Sequence, residues 1–163
     1  IVKAADNNII NKLLIAGGDE NDLLKLEIPI NDSVTLLGSI PHSEIAKYLM
    51  QAEITVIPSR SETYGILLVE ALCCGSSVVA TNVGGIPEVI ALATEKLSLN
   101  EKEIFNRWVK LVEPNSESIG NGIDALLNNN GSIEDYINLV PKFRNNFLWS
   151  TRLYKFHTIL AEL

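Results

Sequence analysis

Cysteine is nearly absent from this 163-residue chain, and the two that occur, Cys73 and Cys74, are adjacent. Neighbouring cysteines bridge only with strain, so no disulfide framework is on offer. A reducing compartment, the cytosol, is the expected setting. Basic charge is also short: 13 Lys and Arg stand against 20 Asp and Glu, a formal net charge of -7. That excludes a broad nucleic-acid footprint, which needs excess cation along the phosphate backbone. Histidine is limited to His42 and His157, neither of them beside the cysteines. No metal-ligand spacing results, and no metal is expected. No apolar run approaches the roughly 20 residues that span a bilayer, and no secretory leader pattern opens the chain. The first residue is Ile1 rather than Met, and IVKAADNNIINK reads as the tail of a helix already under way. Excision from a longer protein is therefore expected.

What is present suits a globular core: 47% of residues are hydrophobic and 20% charged, in a length typical of one domain. Five short apolar runs recur: Lys12–Gly17, Val34–Gly38, Ile54–Pro58, Ser77–Thr81 and Val109–Glu113. None alternates cleanly, which predicts strands buried on both faces, as in a parallel sheet. Helical periodicity lies between and after them, in Ser43–Ala52, Gly65–Cys74, a short helix around Pro87, Ser116–Leu127 and Thr151–Leu163. Asp19-Glu20-Asn21-Asp22 reads as a further helix start, where acids favour the dipole. Ala91–Trp108 is polar beside its neighbours and is expected to be an inserted loop with a helical turn. The alternation predicts a single α/β domain, Rossmann-like and three-layered, with a parallel sheet of about five or six strands. Ligands of such sheets bind in the loops beyond the C-terminal strand ends, here Gly17–Asn21, Gly38–His42, Pro58–Gly65 and Thr81–Glu88.

The chemistry concentrates in Pro58–Ile90. A strand ends at Pro58, a polar loop carries Glu62, and Tyr64-Gly65-Ile66 opens a helix that carries Glu70 and closes at Gly75. A helix start offers unpaired N–H groups and partial positive charge, which suit phosphate. Gly65 allows a ligand close to the backbone. A carboxylate accepts two hydrogen bonds at once and so matches a vicinal diol on a sugar or a ribose. Gly84-Gly85 is either a simple turn before the next helix or the border of a cleft. Cys73 and Cys74 read as small packing residues, His42 as a capping or exposed group, and Trp149 as a packing anchor.

Glu62 and Glu70 form an E-x7-E pair inside the string E-x-Y-G-x-x-x-x-E-A-L-x-C-G-x-x-V-V-A-T-x-x-G-G-x-P-E. This resembles the retaining GT-B glycosyltransferases of family GT4, and in particular their C-terminal half. LLIAGGDEN, VTLLGSIPHSEIAKYLMQAEITVIPS, LVEPNSESIGNGIDALL and FLWSTRLYKF resemble the flanking segments, so the likeness spans nearly the whole chain apart from Ala91–Trp108.

The resemblance implies that Glu62 holds hydroxyls of the donor sugar and is the residue nearest the chemistry. Backbone N–H groups of Tyr64, Gly65 and Ile66 would hold sugar and diphosphate, and Glu70 the ribose. Ser39 and Ile40 would present backbone to the base, while Gly17 and Gly18 would let the phosphates pass. It further implies a UDP- or GDP-linked sugar as donor, no cofactor, and a hexosyl transfer with retention. The acceptor, a glycan or lipid-linked molecule, would be held by an N-terminal half absent from this chain. The isolated piece would then be inactive, and cytoplasmic or, as part of the full-length protein, peripheral to a membrane.

The family's phosphate-neutralising Arg and Lys fall before Ile1, with Arg60 and Lys3 as weaker substitutes. The C-terminal helix would cross back onto the missing half, so Leu153, Tyr154, Phe156 or Leu160 could drive self-association. Two rivals stand. A related nucleotide-sugar 2-epimerase needs acids and histidines placed for proton transfer, and that set is not found. A non-catalytic nucleotide-binding module of the dinucleotide kind needs G-x-G-x-x-G, which AGGDEN does not supply.

Overall fold

The computed structural model describes residues 12–17, 32–148 and 150. The chain divides into two compact units, Ile1–Tyr48 and Leu49–Leu163. The expected N-terminal helix tail, Gly18, the Asp19–Asp22 helix start, Trp149 and the Thr151–Leu163 helix lie outside the described residues.

In the first unit, Leu13–Ala16 (β1) and Val34–Gly38 (β2) run parallel, with Leu13 opposite Val34 and Ile15 opposite Leu36. The register slips after Ile15, so that Ala16 pairs with Gly38. The turn beyond β1 is tied to the end of β2, because the Gly17 N–H donates to the Gly38 carbonyl at 2.7 Å. The burial of β1 alternates, leaving Leu14 39% exposed. Its apolar sequence leads one to expect cover on both faces, and the unit provides less. The helix that follows, His42–Gln51 (α1), matches the expected span to within a residue.

In the second unit, Ile54–Ile57 (β3), Ser77–Thr81 (β4) and Val109–Val112 (β5) form a parallel sheet in the order β3-β4-β5. β4 is central and buried throughout, with Val78 at 0%, Val79 at 1% and Ala80 at 0% exposure. Successive residues of a strand face opposite ways, so both faces of β4 are covered. Right-handed crossovers between strands that step the same way put their helices on one side. Ile66–Cys74 (α2) and Ile86–Thr94 (α3) are those helices, and they touch each other. Gly75 ends α2 in a Schellman turn: its N–H donates to Leu72 and that of Ser76 to Ala71, both at 3.1 Å. Ser116–Leu127 (α5) covers the face that Val79 presents; a Cβ on its Gly122 would stand 2.9 Å from Val79 Cγ1 and 3.2 Å from Val112 Cγ1.

Residues 91–108 correct the expectation of a loop. Ala91–Thr94 complete α3, and Leu99–Trp108 (α4) is a helix of 10 residues. Ser98 and Glu101 cap it reciprocally: the Ser98 N–H donates to Glu101 Oε2 at 2.9 Å, and the Glu101 N–H to Ser98 Oγ at 3.4 Å. The polar face is solvated while Phe105, 1% exposed, enters the core. There it meets Phe143 edge-on at 5.4 Å between ring centroids, and Phe143 lies 5.9 Å from Tyr136. Trp108 stacks on Tyr136 at 6.1 Å.

Tyr136 and Phe143 come from two further helices, Ile133–Ile137 (α6) and Val140–Phe147 (α7). They close the unit through side chains bonded to main-chain carbonyls. The Tyr136 hydroxyl donates to Ser76 at 3.0 Å, Arg144 Nε to Cys73 at 2.9 Å, and Asn146 Nδ2 to Leu92 at 3.1 Å. Burial pushes the Tyr136 phenol well above its ordinary pKa. Among the described residues no helix is long and apolar enough to cross a membrane.

Candidate functional site

The chain leaves β3 through Pro58–Tyr64 and enters α2 at Gly65. Gly65 caps the helix without a side chain, at φ 86° and ψ 46°, a left-handed conformation costly for residues with a Cβ. The first helical bonds run from Leu68 and Val69 back to the Gly65 carbonyl, at 3.0 and 3.2 Å. Among the described residues no acceptor meets the N–H groups of Gly65, Ile66 and Leu67. They gather at the positive end of the helix dipole, the arrangement that attracts phosphate.

Glu62 stands at this opening. A Cβ on Gly65 would lie 3.8 Å from its Cγ. Its Oε1 accepts from the N–H of Thr63 at 3.0 Å and of Tyr64 at 3.4 Å, while Oε2 accepts no hydrogen bond from the described residues. Tyr64 is 48% and Ile66 62% exposed beside it. Glu62, Tyr64, Gly65 and Ile66 are thus brought together at the helix start, with Tyr64 and Ile66 exposed, Glu62 half-buried and Gly65 buried.

Glu70 lies four residues further along α2, about 6 Å by helical rise. It is half-buried, off the face on which Leu68, Ala71 and Leu72 are fully buried. Its charge reaches Cys73 and Cys74. Burial is the main reason that both thiols are pushed up; the Arg144 guanidinium works against this, and Glu70 adds to it. Thiols held protonated in this way are poor nucleophiles, and both are free cysteines packed partly into the fold.

Gly17, Ser39 and Ile40 belong to the first unit, at the ends of β1 and β2. A Cβ on Gly17 would meet no atom of the described residues within 4 Å. His42 is the exposed first residue of α1, and Arg60 is exposed in the Pro58–Tyr64 loop. Among the described residues no group of three or more His, Cys, Asp and Glu side chains gathers as metal ligands.

The Gly84-Gly85 turn shows what the sequence left open. It packs on the main chain of the Glu62 loop, and the Gly85 N–H donates to the Glu62 carbonyl at 3.1 Å. A Cβ on Gly84 would fall 1.6 Å from that same oxygen, and one on Gly85 2.5 Å from the Thr63 carbonyl oxygen. Sequence reasoning missed Thr81. Its hydroxyl, fully buried, donates to Ser59 at 2.6 Å with the Ile57 carbonyl at 3.3 Å. The available signal was a hydroxyl at the end of a strand otherwise apolar from Val78.

A separate open groove of about 600 Å³ runs along β5, lined by Phe105, Lys110, Leu111, Asn121 and neighbours, and shares no residue with the α2 opening. Its lysine already donates to the Asn106 carbonyl at 2.7 Å.

A parallel α/β sheet with a carboxylate set beside an open, glycine-capped helix start defines a Rossmann-like fold with a site suited to an anionic, hydroxyl-bearing ligand. The chain belongs to the glycosyl transferases group 1 family, whose model matches residues 1–143. It is 33% identical over 135 residues to an uncharacterized glycosyltransferase of Methanocaldococcus jannaschii, covering 80% of this chain and 32% of that protein. It is 36% identical over 97 residues to D-inositol 3-phosphate glycosyltransferase 1 of Catenulispora acidiphila, covering 53% of this chain and 23% of that one. Among solved structures it resembles sucrose-phosphate synthase from Thermosynechococcus elongatus, with a TM-score of 0.69 and 23% identity over 99% of this chain and 41% of that chain. That likeness supports the Rossmann-like GT-B fold. The chain therefore spans less than half the length of each of these relatives. The family match and the curated relatives favour glycosyl transfer over the epimerase alternative.

Proposed function

We propose that this chain binds a nucleoside-diphosphate sugar and provides the donor side of a glycosyl transfer that retains anomeric configuration. The observation that carries the reading is the pairing of Glu62 with N–H groups at the start of α2 that meet no acceptor among the described residues. Those N–H groups and the helix dipole would stabilise phosphate oxygens as the leaving group gains charge. Glu62 would accept hydrogen bonds from sugar hydroxyls, and Glu70, further along the helix, from the ribose diol. The same proposal gives Gly17 and Gly18 to phosphate and the backbone of Ser39 and Ile40 to the base. The acceptor is assigned to parts of the protein beyond this chain, so the chain alone is expected to bind donor and transfer nothing. UDP- and GDP-linked hexoses are the donors put forward, with no cofactor.

Calorimetry with UDP, GDP, UDP-glucose, UDP-N-acetylglucosamine, GDP-mannose and NAD tests this. A nucleotide sugar should bind more tightly than its bare diphosphate, and Glu62→Gln should abolish that difference. A charged hydrogen bond is worth about 1.5–3 kcal/mol, so the loss should be about tenfold or more in Kd. Preference for NAD, or a sugar increment untouched by Glu62→Gln, would sink the reading.

A further inference from the structure

We propose that Thr81, acting with the Gly84-Gly85 turn, is a positioning residue for Glu62: it fixes the loop whose carboxylate meets the donor sugar. The inference rests on the donor-site reading above. The Pro58–Tyr64 loop carries no regular secondary structure, yet its acid must hold one place beside α2. Two neighbouring ties supply the constraint, one from the last residue of β4 and one from the turn that follows it. At the root of the loop, the Thr81 hydroxyl donates to the Ser59 carbonyl at 2.6 Å, with the Ile57 carbonyl at 3.3 Å. At its tip, the Gly85 N–H donates to the Glu62 carbonyl at 3.1 Å. Thr81 is 0% exposed, so its hydroxyl is held inside the fold, and its bond to Ser59 is part-buried.

The turn is also seated sterically, because no side chain fits at Gly84 or Gly85 against Glu62 and Thr63. The Asn82 N–H donates to Val112 at 2.7 Å and that of Val83 to Thr81 at 2.9 Å. The platform is thereby anchored to the sheet rather than to the loop it supports. A loop held at root and tip presents its carboxylate preorganised, which lowers the ordering cost of binding.

The test compares Thr81→Val, which keeps shape and removes the hydroxyl, with Thr81→Ser, which keeps the hydroxyl. Amide hydrogen exchange on the full chain reads the positioning directly, without ligand. Thr81→Val should speed exchange of the Gly85 amide at least tenfold while the β4 amides stay protected, and Thr81→Ser should restore the wild-type rate. Affinities for UDP and UDP-glucose, and for GDP and GDP-mannose, read the consequence. Thr81→Val should leave the diphosphate affinity unchanged and cut the extra affinity for the sugar several-fold. Combined with Glu62→Gln it should cut nothing further, since both act through one contact. Unchanged Gly85 exchange in Thr81→Val overturns the positioning role whatever the ligand does. Altered exchange with the sugar increment intact overturns it too, provided Glu62→Gln abolishes that increment. If Glu62→Gln leaves the increment intact, the donor-site reading is what fails.

Discussion

Gly84→Ala should be among the most damaging single methyl additions in the second unit. Two costs can be worked from the geometry. Gly84 has φ 52°, and a left-handed backbone costs a residue with a Cβ about 1–2 kcal/mol. The new methyl would also stand 1.6 Å from the Glu62 carbonyl oxygen and 2.7 Å from its carbon. Both atoms are main chain, so no rotamer relieves the contact, and the two loops must separate by more than an ångström. Separation breaks the Gly85–Glu62 hydrogen bond, worth about 1 kcal/mol. The total is at least about 2–3 kcal/mol, a large part of the stability of about 5–15 kcal/mol that a typical domain has. Urea unfolding followed through Trp108 fluorescence measures it. With a slope of about 1–3 kcal/mol per molar, the midpoint should fall by about 0.7 M or more. A Gly84→Ala midpoint within about 0.3 M of wild type would show that the contact does not constrain the turn, and the positioning argument would go with it.

Two further outcomes are expected. Alanine at Gly120 and at Gly122, two residues apart in α5, should move stability in opposite directions, read as Tm by scanning calorimetry. A Cβ on Gly120 meets nothing within 4 Å, so only the helix-propensity gain of about 0.5–1 kcal/mol remains. At Gly122 the methyl meets Val79 Cγ1 at 2.9 Å, and overpacking of about 1–3 kcal/mol outweighs that gain; shifts of the same sign would refute the packing of α5 on β4. Glu101 governs part of the acid response. The Lys142 ammonium, with the Ser98 N–H and hydroxyl, holds its carboxyl down at about 2 against an ordinary 4.5. Because the folded value lies below the unfolded one, this stabilisation is complete above pH 4.5 and fades as pH falls toward 2. Glu101→Gln should flatten the fall of Tm across that window, and an unaltered slope would count against the ion pair.

Where the physics is local, the sequence was readable. The strands, α1, α2 and α5 appear near their expected bounds, since apolar runs and Gly75 report directly on backbone preference, and Pro87 marks the start of α3 though not its end. The opening at α2 was legible for the same reason: Glu62, Tyr64, Gly65 and Ile66 are consecutive or nearly so, and chain connectivity alone brings them together. Residues 91–108 differ from the expected loop because the Ser98–Glu101 capping pair and the burial of Phe105 outweigh the segment's overall polarity. Burial of β1 was overestimated, because an apolar strand states what it can tolerate on each face and not what arrives to cover it. Thr81 is visible in the sequence only as a hydroxyl ending an apolar strand. Its role depends on the carbonyls of Ile57 and Ser59, more than 20 residues away, and main-chain acceptors leave no mark in sequence.

The E-x7-E string is specific for reasons that divide into chemistry and space, and the division matters for any relative. Glu62 and Glu70 carry the charge that the donor-site proposal gives to the ligand, while Glu88, the third acid of the string, is exposed in the first turn of α3. Gly65 is set by a left-handed helix cap, and Gly84 and Gly85 by main chain lying too close for a methyl. The alanine and leucine positions, Ala71 and Leu72, are set by complete burial. A chain could keep every spatial element and still lose Glu62; on the donor-site proposal it would fold alike and yet have no means of telling a nucleotide sugar from its diphosphate. Conversely, both glutamates on a loop without the Thr81 hydroxyl and the glycine turn would place the right chemistry on an unsupported segment, where the entropy of ordering it offsets the hydrogen bonds it makes. The donor-site assignment for this chain therefore draws its force from the two parts being present together: the carboxylate at the mouth of α2, and the packed main chain beneath it.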